Sequence, residues 1–251
     1  MSKLALITGA SSGIGKATAE AFADLGINLI LCGRRLDRLY EIQESLSEKV
    51  KVNILTFDVR KKEDVEKALH TLPEELRAID ILVNNAGNAH GLGPIQDGST
   101  DDWDAMIDGN VKGLLYVSKT IMPWMIARQK GHIVNISSIA GKSTYPNGNV
   151  YCASKAAVEA ISEGMRLDLN PHGIKVTNVA PGAVETEFSL VRFKGDDKRA
   201  EAVYKGFVPL TAQDVAEIIA FTVTRPPHVV IADMTLFPVA QASATVLRRN
   251  S

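Results

Sequence analysis

The sequence predicts a doubly wound α/β fold, a parallel sheet of about seven strands with helices on both faces. Three observations carry this. Short β-type apolar runs recur along the 251 residues, each is followed by helix-compatible sequence, and the first of them enters its helix through a glycine-rich turn. Strands that alternate with helices imply right-handed βαβ crossovers, which make the strands parallel and bury both faces of the sheet. An α/β chain of this length commonly stays one unit, so residues 1–251 are expected to form a single domain.

The first run, Leu4 to Ile7, passes through Thr8-Gly9-Ala10-Ser11-Ser12-Gly13-Ile14-Gly15 into a helix beginning near Lys16. Small residues at such a turn let the backbone approach a pyrophosphate, and the helix N-terminus stabilises its charge. An ordinary glycine-rich turn is the plainer reading, but the position between a first strand and a first helix is the one a dinucleotide site requires. Gly9, Ser11, Ser12, Gly13, Ile14 and Gly15 are therefore candidate cofactor contacts.

The second run, Asn28 to Cys32, leads to Gly33-Arg34-Arg35, where a site for NAD would place a carboxylate on the ribose hydroxyls. Arg34 and Arg35 can instead hold a 2′-phosphate through charge-assisted hydrogen bonds, which favours NADP(H) over NAD(H); solvated surface arginines are the alternative. The third run, Val52 to Phe57, precedes Asp58-Val59, where Asp58 can accept from an adenine amino group or cap a helix. The fourth run is Ile79 to Val83. From Trp103 to Met125 apolar residues fall at helical spacing, which predicts one long amphipathic helix carrying the polar Asn110. The fifth run, His132 to Ile136, ends just before Ser138, and the sixth is Lys175 to Val179. The stretch from 185 to 210 breaks the alternation and is expected to be a mobile lid or substrate loop, with another helix beginning near Thr211.

Tyr151 and Lys155 stand four residues apart, on one face if the segment is helical. A phenol titrates near about 10, so it is a poor base at neutral pH unless positive charge favours the phenolate. Lys155 beside an oxidised nicotinamide can supply that charge, and Ser138 can polarise a carbonyl or position an alcohol. The Tyr-x-x-x-Lys spacing alone is common and carries little; its combination with the glycine turn is much rarer.

Thr8-Gly9 to Gly15, Asn84-Asn85-Ala86-Gly87, Asn110, Ser138, Tyr151, Lys155 and Pro181-Gly182 together resemble the short-chain dehydrogenase/reductase family over nearly the whole chain. The resemblance implies a Rossmann fold. It gives Tyr151 the role of general acid/base, Ser138 that of substrate-orienting hydroxyl, Lys155 that of ribose ligand and charge source, and Asn110 that of a backbone anchor for a proton-relay water. Asn85, Ala86 and Gly87 would lie beside the adenosine ribose, and Pro181, Gly182, Val184 and Thr186 beside the nicotinamide. The segment Thr186 to Asp196 further resembles a subgroup that oxidises serine, allo-threonine and related 3-hydroxy acids with NADP. Arg192 or Lys194 could then pair with a substrate carboxylate, or be solvated lid residues. Asn147 to Val150 and Asn88 to Leu92 could also line the pocket. Two other functions stay open: a broad-range carbonyl reductase for apolar ketones or pterins, and a non-enzymatic nucleotide-sensing protein on the same fold.

Composition is ordinary for a globular protein: 45% apolar and 23% charged residues, with a formal net charge of −1 that gives no electrostatic reason to expect nucleic acid or membrane. No apolar run approaches the roughly 20 residues of a membrane span, and no signal-peptide pattern opens the chain. Cys32 and Cys152 lack the density of a disulfide scaffold, which suggests reduced thiols and a cytoplasmic protein. His70, His90, His132, His172 and His228 show no metal-ligand spacing, so no metal is expected. Family likeness further implies a homotetramer.

Overall fold

The computed structural model describes residues 2–250. In chain order, β1 (Leu4–Thr8), α1 (Gly13–Asp24), β2 (Asn28–Gly33), α2 (Leu36–Leu46), β3 (Val52–Thr56), α3 (Lys62–His70) and β4 (Ile81–Asn84) form the first half of the fold. They are followed by α4 (Thr100–Ile107), α5 (Gly113–Arg128), β5 (Gly131–Ile136), α6 (Ile139–Lys142), α7 (Asn149–Leu169) and β6 (Ile174–Pro181). The remainder is β7 (Val184–Glu185), α8 (Phe188–Arg192), α9 (Asp197–Tyr204), β8 (Leu210–Thr211), α10 (Ala212–Val223) and β9 (Asp233–Leu236).

Seven strands pair in the order β3-β2-β1-β4-β5-β6-β9, every pairing parallel. The strand order reverses between β1 and β4, where a doubly wound sheet opens a crevice beyond its carboxyl ends. Strand periodicity divides the core accordingly. Ala5, Ile7, Leu29, Leu31, Val134 and Val179 face Phe22 of α1, Leu39 of α2 and Ile219 of α10. Leu4, Leu6, Ile30, Ile133 and Val176 face Leu69 of α3, Ile121 of α5 and Val158 of α7.

Three features of the sequence reading are revised. The segment from Trp103 to Met125 is helical but not one α-helix: Asp108–Lys112 forms a π-turn between α4 and α5, a distortion that often marks functional positions. Its end packs tightly, since a Cβ at Gly113 would meet Val59 at 2.9 Å. The seventh strand, β9, has no apolar run to mark it in the sequence: Asp-Met-Thr-Leu is half exposed at the sheet edge. The 185–210 stretch holds its own helices, α8 and α9, and a short β7-β8 pair at its root. Thr211 then starts α10 with a reciprocal capping box to Asp214, which is why the helix begins there.

Candidate active site

The carboxyl ends of β1 and β4 are fastened together by polar side chains. Asn85 Nδ2 donates to the carbonyls of Thr8 (2.9 Å) and Gly9 (3.2 Å), while the Thr8 hydroxyl accepts from the backbone N–H groups of Asn85 (3.1 Å) and Ala86 (3.0 Å). The preceding Asn84 donates to Ser118 at 2.8 Å and to Asn135 at 2.9 Å inside the sheet. The glycine turn lies against this frame so closely that a Cβ at Gly9 would meet Ala86 Cα at 2.9 Å, and one at Gly15 would collide with the Gly9 carbonyl oxygen. Gly9 and Gly13 also have φ of 65° and 53°, the region where glycine is at no steric disadvantage.

A cleft of about 530 Å³ runs along the crevice. Of the cofactor candidates, Gly9, Ser11, Ser12, Gly13, Ile14, Arg34, Arg35, Asp58, Val59, Asn85, Ala86, Gly87, Pro181, Gly182, Val184 and Thr186 line it, and Ser138, Tyr151 and Lys155 lie at its other end. Gly15 stays beneath the turn. The tight glycines, the arginines at one end and the hydroxyls at the other fit an extended dinucleotide.

The arginines differ. Arg35 donates to Ser11 Oγ from Nε (3.1 Å) and Nη2 (3.0 Å), to Ser12 Oγ at 2.7 Å, and to Glu187 at 2.9 Å. Arg34 is more exposed and lies 3.9 Å from Asp58. Burial pushes the Asp58 carboxyl up, but hydrogen bonds and charge from Arg60, with Arg34, hold it below the usual range. Both Asp58 oxygens accept from Arg60, at 2.6 to 3.0 Å.

At the reacting end, Tyr151 and Lys155 share a face of α7, and both are buried. Lys155 Nζ donates to the Ile136 carbonyl at 2.9 Å. Burial lowers its pKa to about 8, opposed by the charge of Glu159 one turn further along. Burial, followed by Tyr145, raises the Tyr151 phenol above its ordinary range, while a hydrogen bond with Ser138 and the charge of Arg192 act against the rise. Arg192 is a cation close to Tyr151, its guanidinium carbon lying 5.5 Å from the ring centroid. Ser138 caps α6, its Oγ accepting from the Ala140 N–H at 3.1 Å. Asn110 is buried in the π-turn: its Oδ1 accepts from the Asn88 N–H (2.8 Å), and its Nδ2 donates to the Asn88 carbonyl (2.8 Å) and Ser154 Oγ (2.9 Å). Its side chain therefore clamps the loop following Gly87 to α7.

The substrate candidates separate. Arg192 lines the cleft, with Nε donating to the Gly91 carbonyl (3.1 Å) and Nη2 to the Tyr145 hydroxyl (3.1 Å). Lys194 pairs with Asp102 at 3.0 Å and, like Asn147, lines a second cavity of about 330 Å³ that shares Arg192 and Tyr151 with the main cleft. Tyr145 and Arg60 line the cleft with no local pattern to mark them, while Glu187 and Phe188 line it from the segment that the sequence marks only as lid. The tail reaches the lid of its own chain: Arg249 donates to the carbonyls of Val203 (3.0 Å) and Lys205 at the end of α9.

A family model described as short chain dehydrogenase matches residues 3–196. The chain is 46% identical over 243 residues to sulfoacetaldehyde reductase 2 of Chromohalobacter salexigens, covering 96% of each chain. It is 44% identical over 242 residues to the NADP-dependent 3-hydroxy acid dehydrogenase YdfG of Escherichia coli, covering 96% of this chain and 97% of that one. A solved closed form of serine dehydrogenase complexed with NADP+ superposes with a TM-score of 0.92 at 42% identity, covering 99% of this chain and 100% of the other.

Proposed function

The chain belongs to the short chain dehydrogenase family, and from that premise we propose that it transfers hydride between NADP(H) and a small 3-hydroxy acid such as serine, allo-threonine or 3-hydroxypropionate, or the carbonyl form of one. The observation that carries the acid is Arg192: two of its nitrogens are fixed by Gly91 and Tyr145, and its guanidinium lies in the same cleft as Tyr151. A carboxylate held there leaves the hydroxyl-bearing carbon near the phenol. The NADP-dependent hydroxy acid dehydrogenase and the NADP+-bound serine dehydrogenase support both halves of this reading.

Gly9 to Gly15 would hold the pyrophosphate, Arg35 with Arg34 the 2′-phosphate, and Asp58 and Val59 the adenine. Asn85, Ala86 and Gly87 would lie along the adenosine ribose, with Pro181, Gly182, Val184 and Thr186 along the nicotinamide. The nicotinamide, when bound, supplies or accepts the hydride. Tyr151 gives its phenolic proton to the carbonyl oxygen in reduction and takes the hydroxyl proton in oxidation, while Ser138 hydrogen-bonds the same oxygen. Lys155 would hold the neighbouring ribose hydroxyls of a bound cofactor and, with it, favour the phenolate. Asn110 keeps Asn88 and Ser154 in register, and its π-turn backbone anchors the relay of the proton to solvent.

A second reading, reduction of a sulfonated aldehyde, is favoured by the 46% identical sulfoacetaldehyde reductase; a sulfonate would take the place of the carboxylate on Arg192. Initial rates with NADP+ or NAD+ and both enantiomers of serine, allo-threonine, 3-hydroxyisobutyrate, 3-hydroxypropionate and apolar alcohols, and with NADPH and sulfoacetaldehyde, test the proposal. Oxidation of the hydroxy acids with NADP+ is expected, falling roughly 10²- to 10⁴-fold in Tyr151→Phe with NADP+ affinity retained. Arg192→Met is expected to raise KM for the acids by roughly 10- to 100-fold and to spare apolar alcohols. Turnover of the sulfonated aldehyde alone would select the second reading. Activity confined to apolar alcohols would refute both.

A further inference from the structure

The root of the lid is tied to the arginines that face the adenosine end of the cleft. Glu187 immediately follows Thr186 and precedes α8. Its Oε2 accepts from Arg35 Nη1 at 2.9 Å and its Oε1 from Arg38 Nη1 at 2.7 Å, across 152 and 149 residues of sequence. Arg35 is thereby stretched between two partners, with its other nitrogens on the hydroxyls of Ser11 and Ser12 in the glycine turn. Thr186 lies over the same turn, since a Cβ at Gly13 would meet its side chain at 3.4 Å. Arg35 and Glu187 line the cleft, whereas Arg38 lies behind them.

The chemistry of this contact is a competition. A carboxylate offers Arg35 one negative charge. A phosphate monoester offers up to two, with three acceptor oxygens for a guanidinium and two hydroxyls already gathered around one place. The Glu187 pairs are also weak tethers, because the Arg35, Arg38 and Glu187 side chains are 41%, 39% and 43% exposed and water screens them. Hydrogen bonds from Arg38 and Arg35 hold the Glu187 carboxyl below its ordinary range, so it stays charged at neutral pH.

We propose that Glu187 is a specificity-determining residue: it tethers the lid root to Arg35 and Arg38 and yields Arg35 to a 2′-phosphate, so that a phosphorylated adenosine ribose loosens the lid and an unphosphorylated one does not. This rests on the NADP(H) reading above. Discrimination between the two cofactors is then the attraction of Arg35 for the phosphate less the cost of releasing a contact that NAD(H) leaves in place.

Calorimetric titration of the whole protein with NADP+, NAD+ and adenosine 2′,5′-bisphosphate, paired with limited trypsin digestion, tests it. Lys194, Lys198 and Arg199 of the lid are exposed and report its opening. In the wild type the bisphosphate is expected to speed lid cleavage while 5′-AMP does not. Glu187→Gln is expected to be cleaved at the faster rate with neither ligand added, to bind the bisphosphate about fivefold more tightly, and to bind NAD+ unchanged. Equal or weaker bisphosphate binding by Glu187→Gln, or wild-type cleavage indifferent to the 2′-phosphate, would overturn the role of Glu187. Wild-type protein that binds NAD+ as tightly as NADP+ would instead overturn the cofactor reading. A melting temperature of Glu187→Gln matching the wild type keeps these outcomes free of misfolding.

Discussion

Lys155 is an ammonium placed where burial opposes its charge. It is 7% exposed, and its pKa is lowered from 10.5 to about 8. Because the folded value is the lower one, the unfolded chain binds more protons between about pH 8 and 10.5, and stability rises with pH across that window. The shift corresponds to about 3 kcal/mol of unfavourable burial at neutral pH. Lys155→Met is therefore expected to unfold in urea at pH 7 with a free energy roughly 1 to 2 kcal/mol above wild type, after the loss of the bond to the Ile136 carbonyl is set against the gain. The difference should shrink as pH rises above 8 and reverse in favour of wild type by about pH 10.5, while activity is lost throughout. A Met variant offset by the same amount at both pH values would show that the amine is not desolvated. Residues of this kind, Tyr151, Lys155 and Ser138, were legible in the sequence because their chemistry and spacing are local; Arg192 acting on the Tyr151 ring at 5.5 Å joins residues 41 positions apart and was not.

At the scale of elements, the helical segment through Asn110 shows how a polar residue organises its surroundings. Hydrophobic spacing predicts a helix from Trp103 to Met125 but cannot register a π-turn, which inserts one residue without breaking the apolar stripe. The turn puts Asn110 against the chain after Gly87 and against α7, where its amide satisfies both backbone groups of Asn88. Asn110→Ala leaves those groups and Ser154 without their partner, and a loss of roughly 2 to 4 kcal/mol in urea unfolding is expected. A loss below about 0.5 kcal/mol would mean that water replaces the amide freely. The lid is the other element the sequence resolved only in outline. Its composition marks an interruption, whereas α8, α9 and their tie to Arg249 depend on partners far along the chain.

For the molecule as a whole, acid stability turns on a histidine at the centre of the sheet. His132 of β5 is buried, with Nε2 2.7 Å from Thr177 Oγ1 and Nδ1 without a hydrogen-bond partner among the described residues. Burial, aided by Lys175 and Lys3, lowers its pKa from 6.5 to about 3. The unfolded chain takes up this proton first, so the stability present above pH 6.5 is lost as pH falls towards 3, by as much as about 4 kcal/mol. His132→Gln is expected to flatten the dependence of the global unfolding free energy on pH between 6.5 and 4. Equal slopes in the two proteins would mean that the folded state accommodates the imidazolium. The transition belongs to the whole sheet, because β5 is hydrogen-bonded to both β4 and β6.

The sequence by itself determined the layered α/β architecture, the glycine turn and the pairing of Tyr151 with Lys155 on one helix face. Apolar periodicity reports which faces are buried, glycine reports where the backbone must come close, and the Tyr151–Lys155 spacing is set by one helix. Tertiary structure alone decided the edge strand β9, the π-turn around Asn110, the pairing of Lys194 with Asp102, and the bridge from Glu187 to Arg35 and Arg38. Each of these depends on which distant groups meet, and a charged side chain has no partner until the chain has closed around it.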